Sequence, residues 1–232
     1  MGLELYAIIE EYLDFKDEVA RLHNKFLELV KLAKAKSVID IGCGQGAFLE
    51  LLNSSGIQNL GIDLSENQIQ IAAAKSLNVK CEKIENIGQK FHIATAIFDV
   101  VNYIKPNDLE MFFKSVYDIL DDDGSFVFDV NSKFAFEEIV EGSIVIDREE
   151  KFIAIDANFS NPILTTQIIL FEKQKDNSFI KSADKILQYF HPKDTIIKTA
   201  KKAGFISAKS TGFNLHGFSD DDKIIFTLIK KP

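Results

Sequence analysis

The sequence predicts an α/β fold, with a mostly parallel sheet covered by helices on both faces. Short runs of β-forming residues alternate with segments of helical apolar spacing from residue 37 to residue 131, and this alternation returns from residue 192 to residue 230. The run Ser37–Ile41 contains the β-branched apolar residues Val38, Ile39 and Ile41, and turn residues follow it. Because these apolar residues fall on both faces of an extended chain, the run is typical of a strand buried on both sides. Between the two α/β parts, residues 143–190 change to long β-rich runs.

Residues 4–35 are predicted to form one or two amphipathic helices, because apolar side chains recur there at helical spacing. These side chains are Leu5, Ile8, Ile9, Tyr12, Leu13, Val19, Leu22, Phe26, Leu29 and Val30. His23 is predicted to lie on the solvated face of the second helix.

Three alternating glycines, Gly42, Gly44 and Gly46, follow the strand 37–41 and precede a segment of helical spacing at residues 47–52. Glycine can take positive φ and lets a ligand approach the bare backbone. A helix that starts here leaves its first N–H groups pointing into the crevice at the carboxyl end of the strand. The sequence therefore predicts a ligand-binding strand–turn–helix unit.

The spacing of these glycines differs from the dinucleotide fingerprint Gly-x-Gly-x-x-Gly, because the third glycine comes one residue early. Asp40, two residues before the first glycine, would repel a pyrophosphate and would suit an ammonium or sulfonium group. Asp63 ends the next strand, at residues 59–63, where its carboxylate can accept both hydroxyls of a ribose.

Together, Asp40, the three glycines and Asp63 resemble the cofactor site of the class I S-adenosylmethionine (SAM)-dependent methyltransferases. The likeness is to the bacterial small-molecule type, similar to methyltransferase domain 25. It implies a Rossmann-like three-layer sandwich with a seven-stranded, mostly parallel sheet whose last strand is antiparallel. It also implies SAM as cofactor, S-adenosyl-L-homocysteine as product, and methyl transfer by direct in-line displacement. The cofactor-binding residues that the resemblance implies are Asp40, Gly42, Cys43, Gly44, Gly46, Asp63, Leu64, Lys83, Ile84, Glu85 and Thr95.

The region after the predicted third strand, residues 79–82, departs from the family pattern. Many relatives carry an aspartate there that binds the adenine amino group, whereas this chain has Lys83. Either Glu82 or Glu85 takes that role, or the adenine is held mainly by Ile84 and by shape.

The segment after the fourth strand, residues 91–96, is where donor and acceptor are expected to meet. The resemblance implies lid or substrate roles for Phe98, Asp99, Asn102 and Tyr103. An Asn-Pro-Pro-Tyr or Asp-Pro-Pro-Tyr signature is missing from the sequence, which disfavours methylation of adenine N6 or of a glutamine amide.

A helix is predicted at residues 107–119, a solvated turn at residues 121–124 and a fifth strand at residues 125–131, which places Asn131 towards the substrate. No metal site is expected in the acidic turn, because no histidine or spaced carboxylate accompanies it.

Residues 143–190 are predicted to form antiparallel hairpins that are inserted into the domain and form a wall of the acceptor pocket, with Gln188 and Tyr189 facing the substrate. The remainder is predicted as a helix at 193–203 and strands at 206–211 and 223–230. A hydroxyl acceptor would benefit from a general base, for which His191 and His216 are the candidates, whereas an amine needs only deprotonation in solution.

The chain of 232 residues is predicted to form a single methyltransferase domain, 1–232, in which residues 1–35 are a helical cap. A net charge of −8 and a pI near 5.1 disfavour wrapping around a nucleic acid. The sequence has two cysteines, no signal peptide and no long apolar span, which predicts a cytoplasmic protein without a membrane partner. The protein is expected to be a monomer or homodimer.

Three functions stay open. The first is methylation of a small molecule at O or N, the second is methylation of RNA or protein, and the third is SAM binding without transferase activity.

Overall fold

The computed structural model describes residues 3–13 and 15–231, so Met1, Gly2, Asp14 and Pro232 of the predicted domain lie outside the described residues. The helices are α1 (Leu3–Ile9), α2 (Lys16–Leu32), α3 (Ala47–Ser54), α4 (Glu66–Ala74), α5 (Leu109–Asp118) and α6 (Lys193–Lys202). The strands are β1 (Ser37–Ile41), β2 (Gln58–Asp63), β3 (Val79–Cys81), β4 (Phe91–Ala96), β5 (Leu120–Asn131), β6 (Gly142–Asp147), β7 (Lys151–Ser160), β8 (Ile163–Lys173), β9 (Phe179–Tyr189), β10 (Ser207–Phe213) and β11 (Lys223–Ile229).

The main sheet has seven strands in the order β10-β11-β5-β4-β1-β2-β3. Strands β1 to β5 run parallel, and β11 is antiparallel to both of its neighbours. This topology confirms the predicted fold class. Because the chain leaves β1 towards β2 on one side and returns to β4 on the other, a crevice opens at the carboxyl end of β1. Ligands of open α/β sheets bind at such a switch point.

Helices cover both faces of the main sheet, which gives the three layers that were predicted. On one face, the phenylalanines of α5, β5 and β11 form an aromatic core in which Phe128 stacks on Phe226 with ring centroids 5.2 Å apart. On the other face, α2 and α3 pack on β1 and β4 through side chains such as Phe26 and Leu49. No helix of the described residues is long and apolar enough to cross a membrane.

The residues predicted as hairpins form one antiparallel sheet of four strands, β6-β7-β8-β9. One face of this sheet packs on α1, where Leu5 and Ile9 meet Ile153, Ile168 and Leu170. The N-terminal helix is therefore wedged between the inserted sheet and the main domain.

Two local expectations were wrong. His23 is only 9% exposed, because its ring packs against Phe48 and Phe98 instead of facing solvent. The strand predicted to begin at residue 125 begins at Leu120. The acidic residues 121–123, which were predicted to lie in a turn, are exposed residues of this strand. The pairing of β4 with β5 shifts at this point, which accommodates the extra residues.

Candidate functional site

The glycine turn after β1 places bare backbone at the crevice. Gly42, Gly44 and Gly46 all have positive φ, at 72°, 52° and 83°. A Cβ on Gly42 would lie 2.7 Å from Val100 Cγ2, and one on Gly46 would lie 2.3 Å from Leu77 Cδ1. A Cβ on Gly44 would meet nothing nearer than Gln68 Oε1, at 3.9 Å. Packing thus accounts for the outer two glycines, whereas a Cβ on Gly44 would make only an ordinary van der Waals contact, so packing does not explain this glycine.

Two carboxylates flank this turn, as the sequence predicts. Asp63 accepts hydrogen bonds from Gly44 N–H at 3.0 Å and from Ser65 N–H at 2.9 Å. Asp40 is buried and accepts a hydrogen bond from Thr95 Oγ1 at 2.7 Å. Burial raises the pKa of Asp40 to about 7; the charge of Asp63 adds to this rise and the Thr95 hydrogen bond opposes it. The turn thus brings together bare backbone, the Asp63 carboxylate, which can accept hydrogen bonds from ribose hydroxyls, and the Asp40 carboxylate, which can pair with a cation. These groups fit the chemistry of SAM.

The region predicted to bind adenine contains mainly apolar side chains. Ile84 is buried at the start of a single 3-10 turn, and Leu64 is an apolar side chain left 53% exposed at the end of β2. Glu82 is used locally, since it accepts hydrogen bonds from Lys83 N–H and Asn86 Nδ2. Lys83 and Glu85 both lie on the surface.

The N-terminal segment covers the glycine turn through acidic side chains. Glu10 Oε2 accepts hydrogen bonds from Gln45 Nε2 at 3.0 Å and from Gln68 Nε2 at 3.2 Å. Glu4 accepts a hydrogen bond from the backbone N–H of Glu66 at 3.1 Å, at the start of α4. The cap therefore contacts both elements that flank the crevice.

The loop after β4 has an unusual backbone. Phe98 and Asp99 both have positive φ, at 60° and 52°, a conformation that side chains disfavour. Asp129, at the end of β5, holds this pair by accepting hydrogen bonds from Phe98 N–H at 2.7 Å and Asp99 N–H at 3.0 Å. Such strained pairs persist where the surroundings fix them, and they cluster at functional sites.

A buried lysine completes this cluster. Lys223 Nζ lies 2.6 Å from Asp99 Oδ1 and 3.1 Å from Asp129 Oδ2, and its side chain is 4% exposed. Burial alone would lower the pKa of Lys223, but the two carboxylates outweigh it and hold the pKa above its usual value. Burial raises the pKa of Asp129 even though Lys223 opposes the shift. Sequence reasoning missed Lys223, because only the antiparallel pairing of β11 with β5 brings it to this place.

The predicted substrate residues come together around this cluster. Gln188 Nε2 donates a hydrogen bond to Asp99 Oδ2. Asn102 donates to Tyr189 O at 2.8 Å and accepts from Asn131 N–H at 2.9 Å. The end of β9 is thereby tied to the loop after β4 and to the end of β5. Burial raises the pKa of Tyr103 above its usual value, and the charge of Asp99 adds to this rise.

The two predicted catalytic histidines have different surroundings. His191 is 3% exposed, and its Nε2 lies 3.0 Å from Ile104 O, at the end of the turn that follows Asp99. His216 Nδ1 lies 2.5 Å from Asp222 Oδ2. Burial alone would raise the pKa of Asp222, but hydrogen bonds from Leu215 N–H and from His216 hold it below its usual value. Asp222 directly precedes Lys223 in the sequence.

Comparison with known proteins shows the family to which this chain belongs. Residues 10–206 match the family model described as a methyltransferase domain. A protein of Geobacillus sp. (strain WCH70), provisionally named a methyltransferase, is 24% identical over 85% of this chain and 85% of its own.

Two solved structures share the fold. One is an S-adenosylmethionine-dependent methyltransferase from Clostridium acetobutylicum, with a TM-score of 0.75 and 20% identity over 98% of this chain and 96% of that one. The other is the sugar N-methyltransferase KedS8 from Streptoalloteichus, with a TM-score of 0.72 and 15% identity over 95% of this chain and 89% of that one.

The chain belongs to the methyltransferase domain family, because the family model covers most of its length. This membership confirms the predicted family, the class I SAM-dependent methyltransferases, together with the predicted enzyme class and cofactor.

Asp40 gives the first testable prediction. The sequence predicts that Asp40 pairs with a cationic group of the ligand, and its carboxylate, with a pKa of about 7, is ionised above pH 7. Calorimetry should show the affinity for S-adenosyl-L-homocysteine falling as the pH drops from about 8 to about 6, approaching tenfold per unit below the pKa. Asp40→Asn should bind weakly at every pH, and a pH dependence that survives in this variant would contradict the assignment.

The same carboxylate affects stability in the opposite sense. A raised pKa means that the folded protein holds a proton that the unfolded chain releases, so stability is lost as the pH rises towards 7. Asp40→Asn should therefore be more stable than the parent protein at about pH 8, by up to about 4 kcal/mol, with no gain near pH 4. Urea unfolding of the ligand-free proteins measures this.

Lys223 gives a further prediction. Lys223→Met leaves Asp99 and Asp129 buried without their cation, so urea unfolding should show a loss of about 3–5 kcal/mol. The control is Lys133→Met, which removes an exposed pair with Glu137 and should cost less than about 1 kcal/mol. Equal losses in the two variants would contradict the role given to Lys223.

Proposed function

We propose that this chain transfers a methyl group from SAM to an amine of a small molecule. The observation that supports this proposal is that carboxylate groups outnumber ammonium groups where the cofactor and substrate sides meet. In the acceptor cluster, Asp99 and Asp129 face one ammonium group, that of Lys223. Asp40 and Asp63 lie on the cofactor side. Such a crevice attracts cations, and an amine acceptor carries a positive charge near neutral pH.

The cofactor assignment follows the glycine turn. We assign Asp63 to the ribose hydroxyls, Asp40 to the ammonium, the backbone at Gly44 to the main contact and Ile84 with Leu64 to the adenine. SAM supplies a methyl group bonded to a positively charged sulfur, which is a good leaving group. The protein has to align the acceptor with that methyl group and exclude water, and well-oriented reactants can gain about 7–11 kcal/mol from positioning.

On the acceptor side, we assign Phe98, Asp99, Asn102, Tyr103, Asn131, Gln188 and Tyr189 to the substrate pocket. Asp99 is the group that faces the ammonium of the acceptor, because its side chain remains 15% exposed. The four-stranded insertion forms the wall through Gln188 and Tyr189, and the N-terminal segment of residues 1–35 forms the cap.

An ammonium acceptor must lose a proton before its nitrogen can form a bond to carbon. His216 suits this step, because Asp222 holds its Nδ1 and so leaves Nε2 to accept the proton. His191 instead contacts Ile104 O, and we assign it to holding the turn that carries Asn102 and Tyr103.

Asp63 tests the cofactor assignment. Asp63→Ala removes the acceptor for the ribose hydroxyls and for Gly44 N–H, so calorimetry should show binding of S-adenosyl-L-homocysteine about 100-fold weaker. The matched control is Asp184→Ala on the exposed part of β9, which should bind like the parent protein. An unchanged dissociation constant for Asp63→Ala would refute the ribose assignment.

A panel of acceptors tests the reaction. The protein and SAM are incubated with amino sugars, with other small amines and with the matching hydroxyl compounds, and release of S-adenosyl-L-homocysteine is measured. Amines should be turned over and their hydroxyl counterparts should not. Turnover of the hydroxyl compounds alone would contradict the proposal.

The best amine of the panel then separates the two histidines. His216→Asn should lower kcat at pH 7 by about 10²-fold, with the loss shrinking as the pH rises and the free amine forms in solution. His191→Asn should lower the unfolding temperature and leave the shape of the pH profile unchanged.

A further inference from the structure

One side chain beside the glycine turn has an unexplained polar atom. Gln68 lies in the first turn of α4 and is only 7% exposed. Its Nε2 donates a hydrogen bond to Glu10 Oε2 at 3.2 Å. Its Oε1 is buried and has no hydrogen-bond partner within residues 3–13 and 15–231. Buried acceptors are rarely left unpaired, because the loss of hydration is not recovered.

The orientation of this amide is fixed by its partner. The Glu10 carboxylate only accepts hydrogen bonds when ionised, so the nitrogen of the Gln68 amide must face it and the oxygen must point the other way. Exchanging the two atoms would place oxygen against oxygen. The unpaired atom is therefore an acceptor that requires a donor.

The oxygen lies beside the cofactor site. Gln68 Oε1 is 3.9 Å from the position that a Cβ on Gly44 would take, and no atom outside the neighbouring residues of the turn is nearer to that position. Gly44 N–H is in turn bonded to Asp63. The other unpaired buried side-chain oxygen of the described residues, Asn59 Oδ1, is near the amino end of β2 and away from the crevice.

We propose that Gln68 is a cofactor-binding residue whose Oε1 accepts a hydrogen bond from an O–H or N–H group of the bound adenosyl ligand. The inference rests on the proposed function, since it takes the glycine turn as the cofactor site. While Oε1 contacts the ligand, Nε2 keeps its bond to Glu10. The amide thereby bridges the cofactor and the N-terminal cap.

This bridge links cofactor binding to the position of the cap. Glu10 also accepts a hydrogen bond from Gln45, which lies between Gly44 and Gly46 in the turn. Glu10, Gln45 and Gln68 form a cap latch that joins α1 to both sides of the crevice. A ligand that orients the Gln68 amide strengthens the latch, and by linkage a closed latch raises the affinity for the ligand by the same factor.

The first test measures S-adenosyl-L-homocysteine binding by calorimetry. Gln68→Met keeps the length and burial of the side chain and removes both hydrogen bonds, so the dissociation constant should rise about tenfold. Gln70→Met, on the exposed side of the same helix, is the matched control and should bind like the parent protein. Equal binding by both variants would overturn the inference, provided that Asp63→Ala still weakens binding; loss of the Asp63 effect would instead overturn the cofactor assignment.

The second test separates direct contact from an effect through the cap. In a Glu10→Ala background, the latch is absent, but the contact of Oε1 with the ligand remains. Adding Gln68→Met should therefore weaken binding several-fold further. If the double variant binds like Glu10→Ala alone, Gln68 acts only through the cap and the proposed contact is wrong.

Hydrogen exchange provides the readout for the latch. Addition of S-adenosyl-L-homocysteine should slow amide exchange in residues 3–13 of the parent protein and of Gln70→Met. In Gln68→Met at saturating ligand, this added protection should be lost. Equal protection in all three proteins would overturn the link between ligand and cap.

Discussion

Buried carboxylate charge is the constraint on which both halves of the site depend. Asp40 and Asp129 are almost completely removed from water, and each is kept in place by a specific donor. Thr95 bonds Asp40, whereas the N–H groups of Phe98 and Asp99 and the ammonium of Lys223 bond Asp129. Isolated buried charge is costly, so these carboxylates persist only with such partners or with a neutralising proton.

The two sides of the site use this charge differently. On the cofactor side, burial raises the pKa of Asp40 to about 7, so the ligand-free protein retains a proton that a cationic ligand can replace. On the side of the loop after β4, the ammonium of Lys223 pairs with both Asp99 and Asp129. The first arrangement lowers the stability of the folded protein as the pH rises towards 7, whereas the second stabilises the positive-φ backbone of Phe98 and Asp99.

Segments that are distant in sequence close the crevice. Glu10 from the N-terminal cap reaches the glycine turn and α4, and Gln188 from the inserted sheet reaches Asp99. Because α1 packs between the inserted sheet and the main domain, the cap and the insertion form one continuous cover. Under the proposed function, this cover shields the bound reactants from water.

Patterns in the amino-acid sequence were enough to predict the features that depend on residues close together in the chain. The alternation of strands and helices, the positive-φ glycines, and Asp40 and Asp63 at the ends of neighbouring strands all follow from short-range patterns, since a parallel sheet brings strand ends to one edge. Contacts between side chains that are far apart in the sequence became visible in the tertiary structure alone. His23 became buried because two phenylalanines from other segments pack on it, and Lys223 became part of the site through antiparallel pairing with β5. The unpaired oxygen of Gln68 is identified by the hydrogen bond from Gln68 Nε2 to Glu10, which orients the amide. Whether a polar atom has a hydrogen-bond partner depends on the folded surroundings and not on the local sequence.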